Sequence, residues 1–321
     1  PGLAITSAPP GRATVGNSYA HIFSASGGAP PYTWSIASGS LPPGLALDGA
    51  AGSIAGTPSS DGDFGITLRV TDAAGLSATR DDVIPVRLPA LAAAAIHGGA
   101  DVLEPLQQPI VSVALSAPYP EQIQGELTLT FEPDAEAPGD DPAVQFSTGG
   151  RTAPFTVPAG ATTARFSAPA MAFQTGTVAG VIRLRMALRS GTQDLTPDGG
   201  AGREMRVLRS GPVIRAATAA RTAAGFEVRI TGLATPRELT SAGVRLAGVA
   251  GGDLRTTEIT VPLGELSARW FGDAAARPFG SQFTLILPFT VTGDVASIGA
   301  ITVTLANRSG VSPPAALELA P

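Results

Sequence analysis

Five carboxylates fall within ten residues at Glu132-Pro-Asp134-Ala-Glu136-Ala-Pro-Gly-Asp140-Asp141, the densest acidic stretch of the sequence. Hard oxygen ligands on a loop suit Ca2+, which gathers roughly six to eight of them. Asp134, Glu136, Asp140 and Asp141 are therefore the candidate calcium ligands, with a solvated acidic loop as the competing reading, because their spacing matches no EF-hand or repeat-type calcium motif. Apart from calcium, no cofactor is expected. The rest of the chemical alphabet is short: there is no Cys, and all 21 basic residues are Arg. Disulfides, thiolate nucleophiles, zinc-thiolate sites, Schiff bases, P-loop lysines and Lys–Asn cross-links are excluded. His21 and His97 are the two imidazoles, 76 positions apart, which puts mechanisms needing two or three histidines out of reach. No Gly-x-Ser-x-Gly occurs and nothing selects a carboxylate pair, so the chain is read as no enzyme.

Planar rings could stack on a sugar, but aromatics make up 5% of the chain, and Trp34 and Trp270 are its two indoles. Tyr32, Tyr119 and Trp270 are the candidates for a glycan platform, whereas Trp34 reads as a plug between two sheets.

At 321 residues the chain is long enough for two or three domains at roughly 100–150 residues each. With 39 Gly and 29 Pro, long helices are disfavoured, while 44% apolar residues leave ample material for packed cores. Charged residues amount to 15% and the net charge is −5, which offers no footprint for nucleic acid. No apolar run reaches the ~20 residues of a membrane span. The chain starts at Pro1 without Met or a leader, and the expectation is an exported piece of a longer protein, placed outside the cell or on its surface.

Residues 1–88 read as short strands at Leu3–Thr6, Ser18–Ser24, Tyr32–Ser35, Leu45–Leu47, Ser53–Ile54, Phe64–Thr71, Leu76–Ala78 and Val83–Leu88. Phe64, Ile66, Leu68 and Val70 alternate strictly, as one buried strand face requires. Pro31-Tyr-Thr-Trp34, Leu41-Pro-Pro-Gly-Leu45, Gly56-Thr-Pro58 and Val70-Thr-Asp-Ala-Ala-Gly75 follow in that order. Together they resemble the putative Ig module of bacterial surface proteins, related to the cadherin-like repeat of dystroglycan, over residues 3–88. The resemblance implies a β-sandwich used as spacer or binding unit, and calcium at module junctions, with Asp48, Asp61, Asp63, Asp72, Asp81 and Asp82 as candidates. The Asp-Arg-Glu and Asp-x-Asn-Asp-Asn patterns of that chemistry are absent, and Asp72 reads more simply as a turn former before Gly75.

Pro89–Ala95 is the linker candidate. Beyond it, sliding the chain by 104 residues aligns Arg151-Thr152, Thr156-Val-Pro158, Gly160 and Ala164-Arg-Phe166 with Arg255-Thr256, Thr260-Val-Pro262, Gly264 and Ala268-Arg-Trp270. Gly176 meets Gly280 and Ile182 meets Ile286 at the same offset, which implies two tandem copies of one β module and a shared core position for Phe166 and Trp270. The expected fold is all-β: three tandem Ig-like β-sandwich modules in an elongated array, at 1–88, 89–210 and 211–321. Such a chain suits a non-catalytic structural or adhesive surface protein whose partners are other protein chains, copies of itself included. Leu3, Ala4, Ile5 and Thr6, or Ala316, Leu317, Glu318 and Leu319, are the segments that could add to a neighbour's sheet edge and build a filament, unless both pair within their own modules. A glycan- or protein-binding accessory module of a larger secreted protein is the alternative.

Overall fold

A computed structural model describes residues 2–134, 139–197, 202–250 and 254–320. The protein is all-β, 52% strand and 6% helix. Three hydrophobic cores follow one another along the chain, spanning Ala13–Val86, Ile96–Val207 and Ala219–Leu305.

In the first module the alternating run becomes the strand Gly62–Thr71, with Ile66, Leu68 and Val70 buried. It lies between Thr33–Gly39 and Ser77–Arg87, and the facing sheet is formed by Tyr19–Ile22, Ser53–Gly56 and Leu45–Asp48. Leu76–Ala78 and Val83–Leu88 are parts of that one strand, Ser77–Arg87. Trp34 fills the space between the sheets, 6% exposed and stacked on Phe23 at 5.7 Å between ring centroids. Gly52 is obligatory beneath it: its φ is +67°, and a Cβ there would come within 2.5 Å of the indole nitrogen.

The second and third modules share one strand order. In the second, Ala94–Gly98, Ile110–Leu115 and Met171–Ala172 form the small sheet; Thr152–Val157, Ile123–Pro133, Gly180–Ser190 and Gly202–Val207 form the large one. In the third, the same order runs through one continuous sheet: Val213–Thr222, Gly225–Leu233 and Gln282–Thr290 take the place of the small sheet, and Glu258–Pro262, Ser241–Gly248, Ile298–Asn307 and Ala315–Ala320 that of the large one, joined where Ala219 pairs with Leu319. The 104-residue offset therefore holds around Thr156-Val-Pro158 and fails further along. It equates Gly180–Ser190, inside a large sheet, with Gln282–Thr290, at a sheet edge.

The chain also parts from the sequence reading at Trp270. Phe166 lies on the short strand Arg165–Phe166 against Phe155, whereas Trp270 sits on a helix, Gly264–Gly272, and is 38% exposed. The helix arises because Leu263, Ser267 and Phe271 recur at fourfold spacing and turn one stripe toward the core, which leaves Leu266 and Trp270 off that stripe. The linker is not free chain either: Leu88 packs against both neighbouring cores, Leu91 against the second, and Ala94 already begins a strand.

Each module closes in the same way, an early strand pairing parallel with the last one. Ala13 faces Val86, Val102 faces Arg206, and Ala219 faces Leu319.

Candidate functional site

Among the described residues the acidic loop does not gather its carboxylates around one point. Asp134 meets Arg206 at 2.7 Å and Arg209 at 3.0 Å, Asp140 meets Arg151 at 2.7 Å, and Glu136 lies outside the described residues. Asp141, 1% exposed, accepts the amides of Thr177 at 2.6 Å, Val178 at 3.1 Å and Ala143 at 3.0 Å, and the Thr177 hydroxyl at 3.1 Å. Of the four, Asp140 and Asp141 come together, as chain neighbours. Among the described residues no three His, Cys, Asp or Glu side chains form a metal-sized cluster. In the first module, Asp72 accepts the amides of Ala29, Ala74 and Leu76, and these bonds, Ala29's foremost, hold its carboxyl below the usual range. Asp48 accepts from Ala50 and Ala51, Asp81 from Thr67, Asp82 pairs with Arg80 and Asp63 with Arg87.

What Asp141 serves is a buried polar junction between the second and third modules. The Ser281 amide donates to the Thr177 hydroxyl at 2.8 Å, and the Ser281 hydroxyl donates to the Thr177 carbonyl at 2.7 Å; both residues are at most 1% exposed. The Ala179 amide donates to the Thr235 carbonyl, and the Asn307 side chain to the Ser210 carbonyl. Arg237, 7% exposed, spreads its guanidinium over the carbonyls of Gly280, Gly139 and Asp140. Burial lowers its pKa, while Asp141 and Asp140 favour its charge. Nothing in the sequence marked Thr177, Thr235, Arg237 or Ser281, since small hydroxyl residues and one Arg look the same at a junction as on a wet surface.

Both candidate exchange segments are paired within the chain. Ala4 faces Ser26 and Ile5 faces Ala25, and the Thr6 amide donates to the Ser24 carbonyl. Ala316, Leu317 and Glu318 pair with Ile298–Asn307 on one side, and Leu319 with Ala219 on the other, so this strand is internal and joins the two parts of the sheet.

Of the candidate platform rings, Tyr119 is 3% exposed and Tyr32 half-buried, each with its hydroxyl donated to a backbone carbonyl. Trp270 is the open one. It stacks on Phe279 at 6.2 Å between centroids and donates its indole N–H to the Gln282 carbonyl at 3.3 Å. On one side of the indole lies a groove of about 270 Å3, between the helix and the edge strand Gln282–Thr290, with Leu239, Leu263, Leu266, Phe271, Phe283 and Ile286 in its walls and no charged side chain. On the other side, a hollow of about 360 Å3 on the outer sheet face carries Arg215, Thr231, Gln282 and Thr284.

The strand beside the groove is open. Its register on Gly225–Leu233, with the Ala234 amide bonded to the Ser281 carbonyl and the Val291 amide to the Ala224 carbonyl, turns odd-numbered backbone groups inward and even-numbered ones out. The Gln282 carbonyl is taken by Trp270 and Pro288 has no N–H. The amides and carbonyls of Thr284 and Ile286 form no hydrogen bond among the described residues.

Residues 2–86 match the Putative Ig domain family. No curated protein matches the chain. Among solved structures, it is similar to a protein from Bacteroides fragilis described as a putative alpha-galactosidase, at 29% identity over 26% of this chain and 17% of that one, with a TM-score of 0.24. A glycan-binding protein of Bacteroides ovatus, SGBP-B of a mixed-linkage glucan utilization locus, is 14% identical over 99% and 70% of the two chains, with a TM-score of 0.21. The three fibronectin-type domains of chicken CNTN1 are 11% identical over 100% and 98%, with a TM-score of 0.25. Likenesses at these scores carry no site across. Among the described residues no helix is long and apolar enough to cross a membrane.

Proposed function

We infer that this chain is part of an exported bacterial surface protein whose work is structural or adhesive and not catalytic, and that it binds other protein chains, copies of itself included, by strand addition. The observation that carries this reading is the open edge at Thr284 and Ile286 beside a charge-free groove. Main-chain groups left unpaired on a strand edge bind an incoming strand through hydrogen bonds, and neighbouring pockets select its side chains. The buried junction supports the reading as well, because it holds the third module, with its edge, fixed on the second. Electron microscopy of the purified chain over a concentration series, with and without ~1 mM calcium, a level suited to weak extracellular sites, tests it. Filaments or oligomers are the expected result; single particles at every concentration would sink self-assembly.

A second reading, a glycan-binding accessory module, is favoured by the hollow that combines the Trp270 and Phe279 rings with Arg215 and Gln282. Trp34 is buried, so quenching or enhancement of tryptophan fluorescence by added oligosaccharide would report Trp270. A response that survives Trp270→Phe would rule the hollow out.

A further inference from the structure

The corresponding edge in the second module is already closed. There the strand Met171–Ala172 continues as extended chain to Gln174, and the segment Gln145–Ser147 runs along its outer side. The Ser147 amide donates to the Ala172 carbonyl and the Gln174 amide to the Gln145 carbonyl, both at 2.8 Å, and Phe146 bridges antiparallel to Phe173. Val144 and Phe146 of that closing segment are 0% and 1% exposed. The acidic loop delivers it, and among the described residues no segment of the third module runs along its own small-sheet edge, which presents Thr284 and Ile286 unpaired beside Leu266 and Trp270. Among the described residues, the third module thus has the edge without the strand that covers it in its neighbour.

The closing segment reads Val144-Gln-Phe-Ser147: two large apolar residues separated by a neutral one and followed by a hydroxyl. Leu3-Ala-Ile-Thr6 repeats that pattern. Residues 2–11 carry no charged side chain, and the groove has none either, so neither side would strand a charge away from water. In its own module the segment is held by two residue pairs to Ala25–Ser26 and by the Thr6 amide on the Ser24 carbonyl, with Leu3 and Ile5 half-buried against the first core. Its length also fits: Trp270 closes the edge at Gln282 and Pro288 closes it at the far end, which leaves a short window centred on Thr284 and Ile286.

We propose that the edge strand Gln282–Thr290 accepts Leu3–Thr6 from a second copy of this chain. The inference rests on the self-association reading above and names its donor and acceptor. Since the two sites lie on different modules, each copy can give one strand and take another, a heterologous contact that propagates head to tail.

Two single variants of the full chain test it by sedimentation velocity. Ile286→Pro removes an outward N–H while leaving the inward ladder to Gly225–Leu233 intact, as Pro288 already does, and Ile5→Asp puts a charge on the donor. Each is expected to weaken self-association by at least ~10-fold, the effect of losing about one or two net hydrogen bonds or an apolar anchor. An equimolar mixture should form one-to-one pairs and nothing longer, because each variant keeps one working site. If Ile286→Pro fails to fold, Leu266→Glu on the exposed face of the helix takes its place. Self-association unchanged by the acceptor variants would overturn this acceptor and leave the filament reading standing. If the wild-type chain stays single while a synthetic peptide of residues 2–8 binds it, and not Ile286→Pro, the groove takes strands from other proteins and the second-copy assignment falls. A single chain that binds no peptide overturns both.

Discussion

The two junctions between modules are built on opposite principles. At the first, Leu88 is shared between two cores and the Tyr119 hydroxyl donates a single bond, 3.1 Å, to the Pro89 carbonyl. At the second, Asp141, Thr177, Thr235, Arg237 and Ser281 are buried and bonded to one another or to backbone across the boundary. Apolar burial is non-directional and survives a change of angle, whereas a buried hydrogen bond broken by rotation leaves donor and acceptor dry and unpaired. The second and third modules consequently move as one body, and bending between modules is concentrated near Leu88.

Asp141→Ala should produce the largest effect. It strips the acceptor from two buried amides and a hydroxyl and removes a countercharge near Arg237, costing about 3–5 kcal/mol in guanidinium unfolding. Arg237→Ala, which leaves three carbonyls without that donor, is expected to cost about 2–4 kcal/mol. It should also split a joint transition of the second and third modules into two resolved steps by tryptophan fluorescence and circular dichroism; two resolved steps already present in the wild type would contradict the single-body view. Tyr119→Phe, at the other junction, should cost no more than about 1 kcal/mol. The smallest effect is a pH dependence confined to the first module. Asp72 has its carboxyl lowered in the folded state, so the unfolded chain takes up its proton first. Its contribution is complete at neutral pH and fades as pH drops below the usual carboxylate value of about 3.9. Acid titration of Asp72→Asn, followed by circular dichroism, should show a shallower loss than the wild type, with the second and third modules unaffected.

Signals carried by neighbouring residues were legible from sequence: the alternation of Phe64 to Val70, the Trp34 plug and the turn at Asp72 and Gly75 all stand where the residue pattern puts them. Signals that depend on which strands meet were not. The 104-residue offset located a tandem pair, yet it carried Trp270 into a core because a similarity of letters is blind to the fourfold spacing of Leu263, Ser267 and Phe271 that winds the segment into a helix. Asp141 was grouped with Asp134 and Asp140 by proximity in sequence, and its solvent-excluded role depends on Thr177, 36 residues away. The open edge at Thr284 and Ile286 was hidden for the same reason, since whether a strand has one neighbour or two is a property of topology.

The parallel closure seen three times, Ala13 with Val86, Val102 with Arg206 and Ala219 with Leu319, has a mechanical meaning. When a chain is stretched along its length, strands that run parallel near a module's beginning and end are pulled in opposite directions past each other. Their hydrogen bonds, lying across the line of pull, are loaded together and not peeled one by one. Each module therefore resists tension as a lap joint does, and the chain is suited to carrying load between the things it joins.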